Sequence, residues 1–338
     1  MSHTGNPANV RLTELTTCGG CAAKWGAALL RELVDAAQAA GRPDLLVGLA
    51  PSDDAAVMRL TDDVALVSTT DFFPPLVDDP SDFGAIAAAN ACSDVFAMGG
   101  DVLLALNIAA FPESLPTPVI QRVFAAAAAV VAEAGGTVAG GHTIRSAEPI
   151  FGLAVQGVVT PGQEFTKGGA RPGDALLLSK PLGTGLALAS ADPGLIAAAV
   201  ASMRRLNREA ATALRRGGHA VHAVTDVTGF GLLGHGWEMA ERSHTHLVFE
   251  ASALPVLDGV AAVAAAGIRT GGDPRNRDYV LGHVALDADE ASAAIAFDPQ
   301  TSGGLLAAVD PSVVGDLVAT GFVEIGRVHA GAPAVSLR

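Results

Sequence analysis

Apolar residues recur at helical spacing over Gly26–Ala39, behind a polar, glycine-bearing stretch at 1–25. The β-branched run Val64–Ser68 reads as a strand that delivers Thr69-Thr70-Asp71 at its end. A helix of small and apolar residues follows over Asp82–Met98, with Gly99-Gly100 suited to cap its C-terminus. Val102–Ala110 predicts a strand, Pro116–Ala134 a long helix and Thr137–Ala139 a short strand; Gly152–Val159, alternating apolar and small residues, predicts another. Turn formers at both ends of Pro161–Gly173 mark a linker. Beyond it, strand and helix signals alternate again over Ala175–Ser179, Gly194–Gly217, Gly231–Arg242 and Leu305–Val309. The pattern predicts an α+β or α/β protein with a mobile N-terminal segment (1–25), an N-terminal domain (26–160) and a C-terminal domain (174–338).

With 338 residues, half of them hydrophobic, the chain has material for two packed cores. Its net charge of −14, with no block of Lys or Arg, makes nucleic acid and anionic membranes poor partners. Acidic side chains can serve an anionic substrate through metal ions that neutralise phosphate. Three cysteines make no disulfide framework and fit a reducing cytoplasm. The N-terminus lacks the apolar core of a signal peptide. The longest uncharged run, Pro149–Gln163, is too short and too rich in Gly and Pro to span a bilayer. A soluble, cytoplasmic protein is expected.

Candidate chemistry begins at Thr16-Thr17-Cys18-Gly19-Gly20-Cys21-Ala22-Ala23-Lys24. An ammonium three residues from Cys21 stabilises its thiolate, and the glycines let the backbone approach a ligand. The segment reads as a catalytic loop; a Cys18/Cys21 redox pair, half of a zinc site and a plain tail are the alternatives. The two glycines also give Cys18 and Cys21 the freedom to reach disulfide geometry on oxidation. Asp53 and Asp54 open a strand-like segment, Asp71 ends a strand, and Asp94 shares a helix face with Asn90 four residues earlier. Asp226 precedes another helix. A carboxylate in an apolar helix needs a cation or donors, and several together suggest Mg²⁺ bridging to substrate phosphates. Singly, Asp53 and Asp71 can cap turns and Asp226 the next helix. Gly140-Gly141-His142 after a strand offers backbone N–H groups to a phosphate, or is a plain strand-to-loop turn. No GxxxxGK[ST] loop is present. Asp298-Pro-Gln-Thr-Ser-Gly-Gly304 reads as a turn or as a polar loop facing a ligand.

In this order, from Arg11 to the C-terminus, these motifs resemble the selenophosphate synthetases (selenide, water dikinases), in the superfamily that includes aminoimidazole ribonucleotide synthetase. The resemblance implies a two-domain α+β fold whose N-terminal sheet pairs across a homodimer. It implies conversion of ATP, selenide and water to selenophosphate, phosphate and AMP. By position, Cys21 and Lys24 match the catalytic pair, and Asp54, Asp94 and Asp226 the Mg²⁺ ligands. Lys24, Pro51, Ser52, Asp53, Asp71, Asp94, Gly140, Gly141 and His142 fall where relatives contact ATP. A selenium-delivery protein is a further expected partner. The chain departs from the pattern at Ala23 (a second Cys in some relatives), Thr16-Thr17 (often Ser-His), Cys18 (often Gly) and Trp25 (commonly aliphatic). Another ATP-dependent synthetase of the superfamily, from a purine or thiamine pathway, is the alternative, and a redox module a more distant one. The hydrogenase maturation proteins of this fold use a C-terminal Cys, whereas this chain ends Ser-Leu-Arg.

Overall fold

The computed structural model describes residues 10–17, 19–20, 32–34, 36–37, 41–49 and 52–338. Six strands build the first sheet: β1 (Leu45–Val47), β2 (Ala56–Arg59), β3 (Ala65–Phe73), β4 (Asp101–Phe111), β5 (Thr137–Arg145) and β6 (Ile150–Val159), in the order β1-β2-β3-β6-β4-β5. The β4–β5 pair is parallel and the other neighbours are antiparallel. Helix α1 (Pro80–Ala97) is apolar almost all round and correspondingly buried almost all round. Its small residues let α2 (Thr117–Glu133) lie against it: a Cβ on Gly84 would stand 2.1 Å from the Val123 carbonyl oxygen. Phe73, Phe83, Phe111, Phe124 and Phe151 close one end of this core with ring-to-ring contacts. Cys92 is fully enclosed in α1, where burial first and the Asp94 charge second push its thiol up to about 12.

The second sheet comprises β7 (Ala175–Leu178), β8 (Val221–Asp226), β9 (His246–Phe249), β10 (Val284–Leu286), β11 (Leu305–Val309), β12 (Val323–His329) and β13 (Ala334–Leu337), in the order β10-β13-β9-β12-β7-β11-β8. Around it lie α3 (Thr184–Ala189), α4 (Pro193–Arg204), α5 (Arg208–Gly217), α6 (Gly231–Ser243), α7 (Val260–Ala265), α8 (Asp273–Tyr279) and α9 (Glu290–Phe297). Two layered halves of mixed sheet and helix make the fold α+β, as expected. Among the described residues, no helix is long and apolar enough to cross a membrane.

Several boundaries differ from the sequence pattern for identifiable reasons. Helix α1 starts at Pro80 because Asp79 caps it, accepting from the N–H groups of Ser81 (2.7 Å) and Asp82 (3.0 Å). Strand β3 continues to Phe73, so Asp71 sits inside it, opposite Leu153 of β6, instead of at its end. Strand β5 likewise continues to Arg145. Gly140-Gly141-His142 is strand interior, paired with Leu106, Asn107 and Ile108 of β4, and is neither loop nor turn. The Gly194–Gly217 stretch forms two helices, broken at 205–207, where Asn207 donates to Ser93 Oγ and to Gly303 O, both at 2.8 Å. Of the helix expected over Gly26–Ala39, the described residues 32–34 and 36–37 are helical.

Arginines from α4 and α5 fasten the halves together. Arg204 meets Asp82 at 2.8 Å, Arg208 donates to Glu133 O at 2.9 Å, and Arg215 meets Asp101 at 3.0 Å. The 161–173 segment is stitched to both halves: Phe165 N–H donates to Met98 O at 3.1 Å, and Val224 N–H to Thr166 O at 2.9 Å.

Candidate active site

At the seam between the halves, Asp53 and Asp54 lead into β2, and Lys167 enters from the stretch that reads as a linker. The Lys167 ammonium lies 3.0 Å from Asp54 Oδ1 and 3.0 Å from Glu238 Oε2 on α6. Thr225, at the end of β8, donates its hydroxyl to Asp54 Oδ1 at 3.1 Å. His235, one turn before Glu238, brings Nδ1 to 3.2 Å from Glu238 Oε2, and the Tyr279 hydroxyl donates to Oε1 at 3.4 Å. Asp53 accepts from the N–H of Lys167 (3.0 Å) and of Asp54 (2.9 Å).

The charges set one another. Burial alone would lower the Lys167 ammonium, but Asp54, Glu238 and Asp53 outweigh it and hold the group well above its ordinary range. Burial would raise Glu238, yet Lys167 and His235 hold it far below the usual carboxylate range. Asp53 goes the other way: burial first and the adjacent Asp54 charge second raise it to about 7, against the pull of Lys167. One cation thus serves three carboxylates, and the least well served takes up a proton most readily.

A second strand of contacts crosses the same seam. Asn90 and Asp94 lie one turn apart on α1, as their spacing predicts. Asn90 Nδ2 donates to Asp71 Oδ2 at 2.6 Å, and its Oδ1 accepts from Ser302 N–H at 2.7 Å. Thr69 of β3 donates its hydroxyl to Asp94. Asp226 ends β8 beside Thr225, so it stands one residue from a direct partner of Asp54. Ser52 accepts from Arg242 through its carbonyl (3.1 Å) and hydroxyl (3.3 Å).

The 298–304 stretch is buried, ties elements of the second half together and reaches the first half through Ser302 and Asn90. Gln300 Oε1 accepts from the N–H groups of Gly183 and Thr184 at 3.0 Å, and Asp298 accepts from Leu186 N–H at 3.1 Å. The Lys180 ammonium donates to Ser302 O at 2.8 Å and to Arg205 O at 2.5 Å.

The structure therefore gathers Ser52, Asp53, Asp54, Asp71, Asp94 and Asp226 along one seam, by way of Thr225, Asn90 and Ser302. It does not bring Gly140–His142 there within the chain. They lie on β5, at the exposed edge of the first sheet, separated from β3 by β6 and β4. Cys18, Cys21, Lys24 and Pro51 lie outside the described residues. Among the described residues, no three His, Cys, Asp or Glu side chains stand close enough to hold a metal ion by themselves. Asp54, Asp94 and Asp226 are therefore not a closed ligand set. They are nevertheless the right kind of donor, and Asp54 Oδ2 is buried with no hydrogen-bond partner among the described residues. Such an oxygen fits a hard divalent cation.

Lys167 and Glu238 were not legible as site residues. The signals were there: a lone Lys between Thr and Gly-Gly in a segment that otherwise reads as a spacer, and a carboxylate three residues after His235 on an apolar helix.

Two family models match the chain: AIR synthase related protein, N-terminal domain, over residues 52–159, and AIR synthase related protein, C-terminal domain, over residues 171–332. A "Selenide, water dikinase" of Myxococcus xanthus is 42% identical over 97% of this chain and 97% of its own length. Another, of Burkholderia ambifaria, is 48% identical over 93% of this chain and 90% of its own. The thiamine-monophosphate kinase of Stenotrophomonas maltophilia shares the fold at 22% identity, with a TM-score of 0.64 over 93% of this chain and 96% of its own. The chain belongs to the selenide, water dikinase family.

Proposed function

We propose that this chain makes selenophosphate from ATP, selenide and water, releasing AMP and phosphate. The observation that carries the reading is the match, over nearly the whole length of both chains, to relatives named for that reaction. Cys21 and Lys24 are the catalytic pair: the thiolate orients the selenide, and the ammonium neutralises charge on the phosphate oxygens. Asp54, Asp94 and Asp226 would hold Mg²⁺, which when bound neutralises the triphosphate. The protein's own part at the seam is orientation. Lys167, through two 3.0 Å contacts, fixes Asp54 against Glu238, and Asn90, bonded to Ser302, fixes Asp71. In this reading Ser52, Asp53, Asp71 and Asp94, with Pro51 and Lys24, contact the nucleotide.

The homodimer belongs to the same reading. Among the described residues strand β5 is an edge of the first sheet, and Phe72, Leu103, Leu106 and Ile144 are exposed apolar residues on that sheet, a surface suited to a second copy. Contact of Gly140, Gly141 and His142 with ATP then falls at the junction between protomers. The work is cytoplasmic, where selenide stays reduced, and a selenium-delivery protein supplies it.

Phosphorus NMR tests the proposal. ATP plus selenide should yield selenophosphate and AMP, and Cys21→Ser and Lys24→Ala should abolish this while leaving the circular dichroism spectrum intact. Asp54→Asn, Asp94→Asn or Asp226→Asn should each weaken Mg-ATP binding. ATP consumption indifferent to selenide would overturn the assignment in favour of another synthetase of the superfamily.

A further inference from the structure

The described part of the N-terminal segment is tied down at both ends. Leu12 is fully buried. Thr13 donates to Asp78 Oδ1 from its N–H at 3.0 Å and from its hydroxyl at 2.5 Å, and Arg11 Nε reaches Asp78 Oδ2 at 3.0 Å. Downstream, Gly20 N–H donates to Pro74 O at 3.0 Å. The groove that takes Gly19 and Gly20 has a wall from each domain: Pro75 and Leu76 on one side, Thr301 on the other. It has no room for side chains. A Cβ on Gly19 would stand 2.2 Å from Pro75 O. Gly20 holds φ +63°, and a Cβ there would stand 2.8 Å from Thr301 Oγ1 and 3.1 Å from Leu76 Cδ1.

The groove is also in register with the nucleotide residues. Thr301 is followed by Ser302, whose N–H binds Asn90, and Asn90 in turn binds Asp71. A cavity of about 340 Å³ opens beside Gly19, walled in part by Thr13, Thr17, Thr184 and Thr301.

We infer that Gly20, Thr301 and Asp78 are positioning residues that seat the root of the Cys21–Lys24 segment in the interdomain groove. Gly20, the residue before Cys21 in the sequence, is thereby held at a defined point that connects through Thr301, Ser302 and Asn90 to Asp71. The inference rests on the catalytic reading of Cys21 and Lys24.

The test is Gly20→Ala in the full-length protein. It should lower kcat for selenide-dependent AMP formation about tenfold or more, because small misplacements are costly to transfer chemistry, while the ATP KM stays within about twofold. The iodoacetamide alkylation rate of Cys21, followed by peptide mass spectrometry, should change about threefold or more. Thr301→Ala in the Gly20→Ala background removes the clashing oxygen and should restore part of the lost kcat. Should Gly20→Ala not fold, Asp78→Ala, which frees Thr13 and Arg11 without touching the groove, carries the same expectations. Wild-type kcat and alkylation in either folded variant overturns the inference. So does a lowered melting temperature with kcat per folded molecule unchanged, the mark of a merely structural role. If Cys21→Ser itself retains full turnover, the catalytic reading has failed, and the alkylation rate alone decides whether the groove seats the segment.

Discussion

Two lysines are buried at the domain seam, and they are held in opposite ways. Lys167 sits among three carboxylates, which keep it charged in spite of burial. Lys180 has two backbone carbonyls as its partners, and burial first and the Arg205 charge second bring it down to about 7, against a smaller pull from Asp226. A buried ammonium with carboxylates on both sides is a fixed charge that organises its neighbours. One with only carbonyls joins backbone segments, and does so about as well without its proton's charge. The difference separates an electrostatic hub in the site from a mechanical tie between α4, β7 and the 298–304 stretch.

The largest effect should come from removing the hub. Lys167→Met leaves Asp53, Asp54 and Glu238 buried without their cation, and should destabilise the protein by about 3–5 kcal/mol in urea titrations. Lys180→Met removes two hydrogen bonds but also the burden of a buried ammonium, and should cost about 1–3 kcal/mol. Equal costs would erase the distinction. Next comes pH. The Lys180 value is lower in the folded chain than in the unfolded one, so between about pH 7 and 10 the unfolded state binds the extra proton and stability rises with pH. The contribution is at most about 1.4 kcal/mol per pH unit, and is flat below about pH 7. Lys180→Met should lose this rise in melts across that range, whereas the Lys167 hub, raised rather than lowered, contributes none of it. Smallest is Tyr279→Phe, which deletes the 3.4 Å bond to Glu238 at the rim of the hub; melts should show a loss below about 1 kcal/mol.

The contrast also shows what could be seen beforehand. Helix α1, with its apolar run, its Asn90–Asp94 spacing and its Gly99-Gly100 stop, is local chemistry and was readable residue by residue. The expectation that Asp54 and Asp226 serve phosphate chemistry likewise came from motifs that form contiguous runs. Lys167 was not readable, because its meaning comes from Asp54, 113 positions earlier, and Glu238, 71 positions later. The helix break before Asn207 was hidden for the same reason: its partners are Ser93 and Gly303, in other parts of the chain. Gly140–His142 read as a turn because glycines signal turns, while the parallel pairing with β4 keeps them extended. Composition marks where a chain can bend; only a distant neighbour decides whether it does.

The enclosure of Cys92 inside α1 has a bearing on how the protein meets electrophiles. A thiol shut among alanines, with its ionisation pushed to about 12, offers no nucleophile to the surroundings at neutral pH. The chain has three cysteines, so the reaction with peroxide, alkylating agents or oxidised selenium species is expected at Cys18 and Cys21. A thiol titration of the native protein that stops at two, and recovers the third on unfolding, would show that the chain keeps its scaffold thiol inert and leaves thiol reactivity to the N-terminal pair.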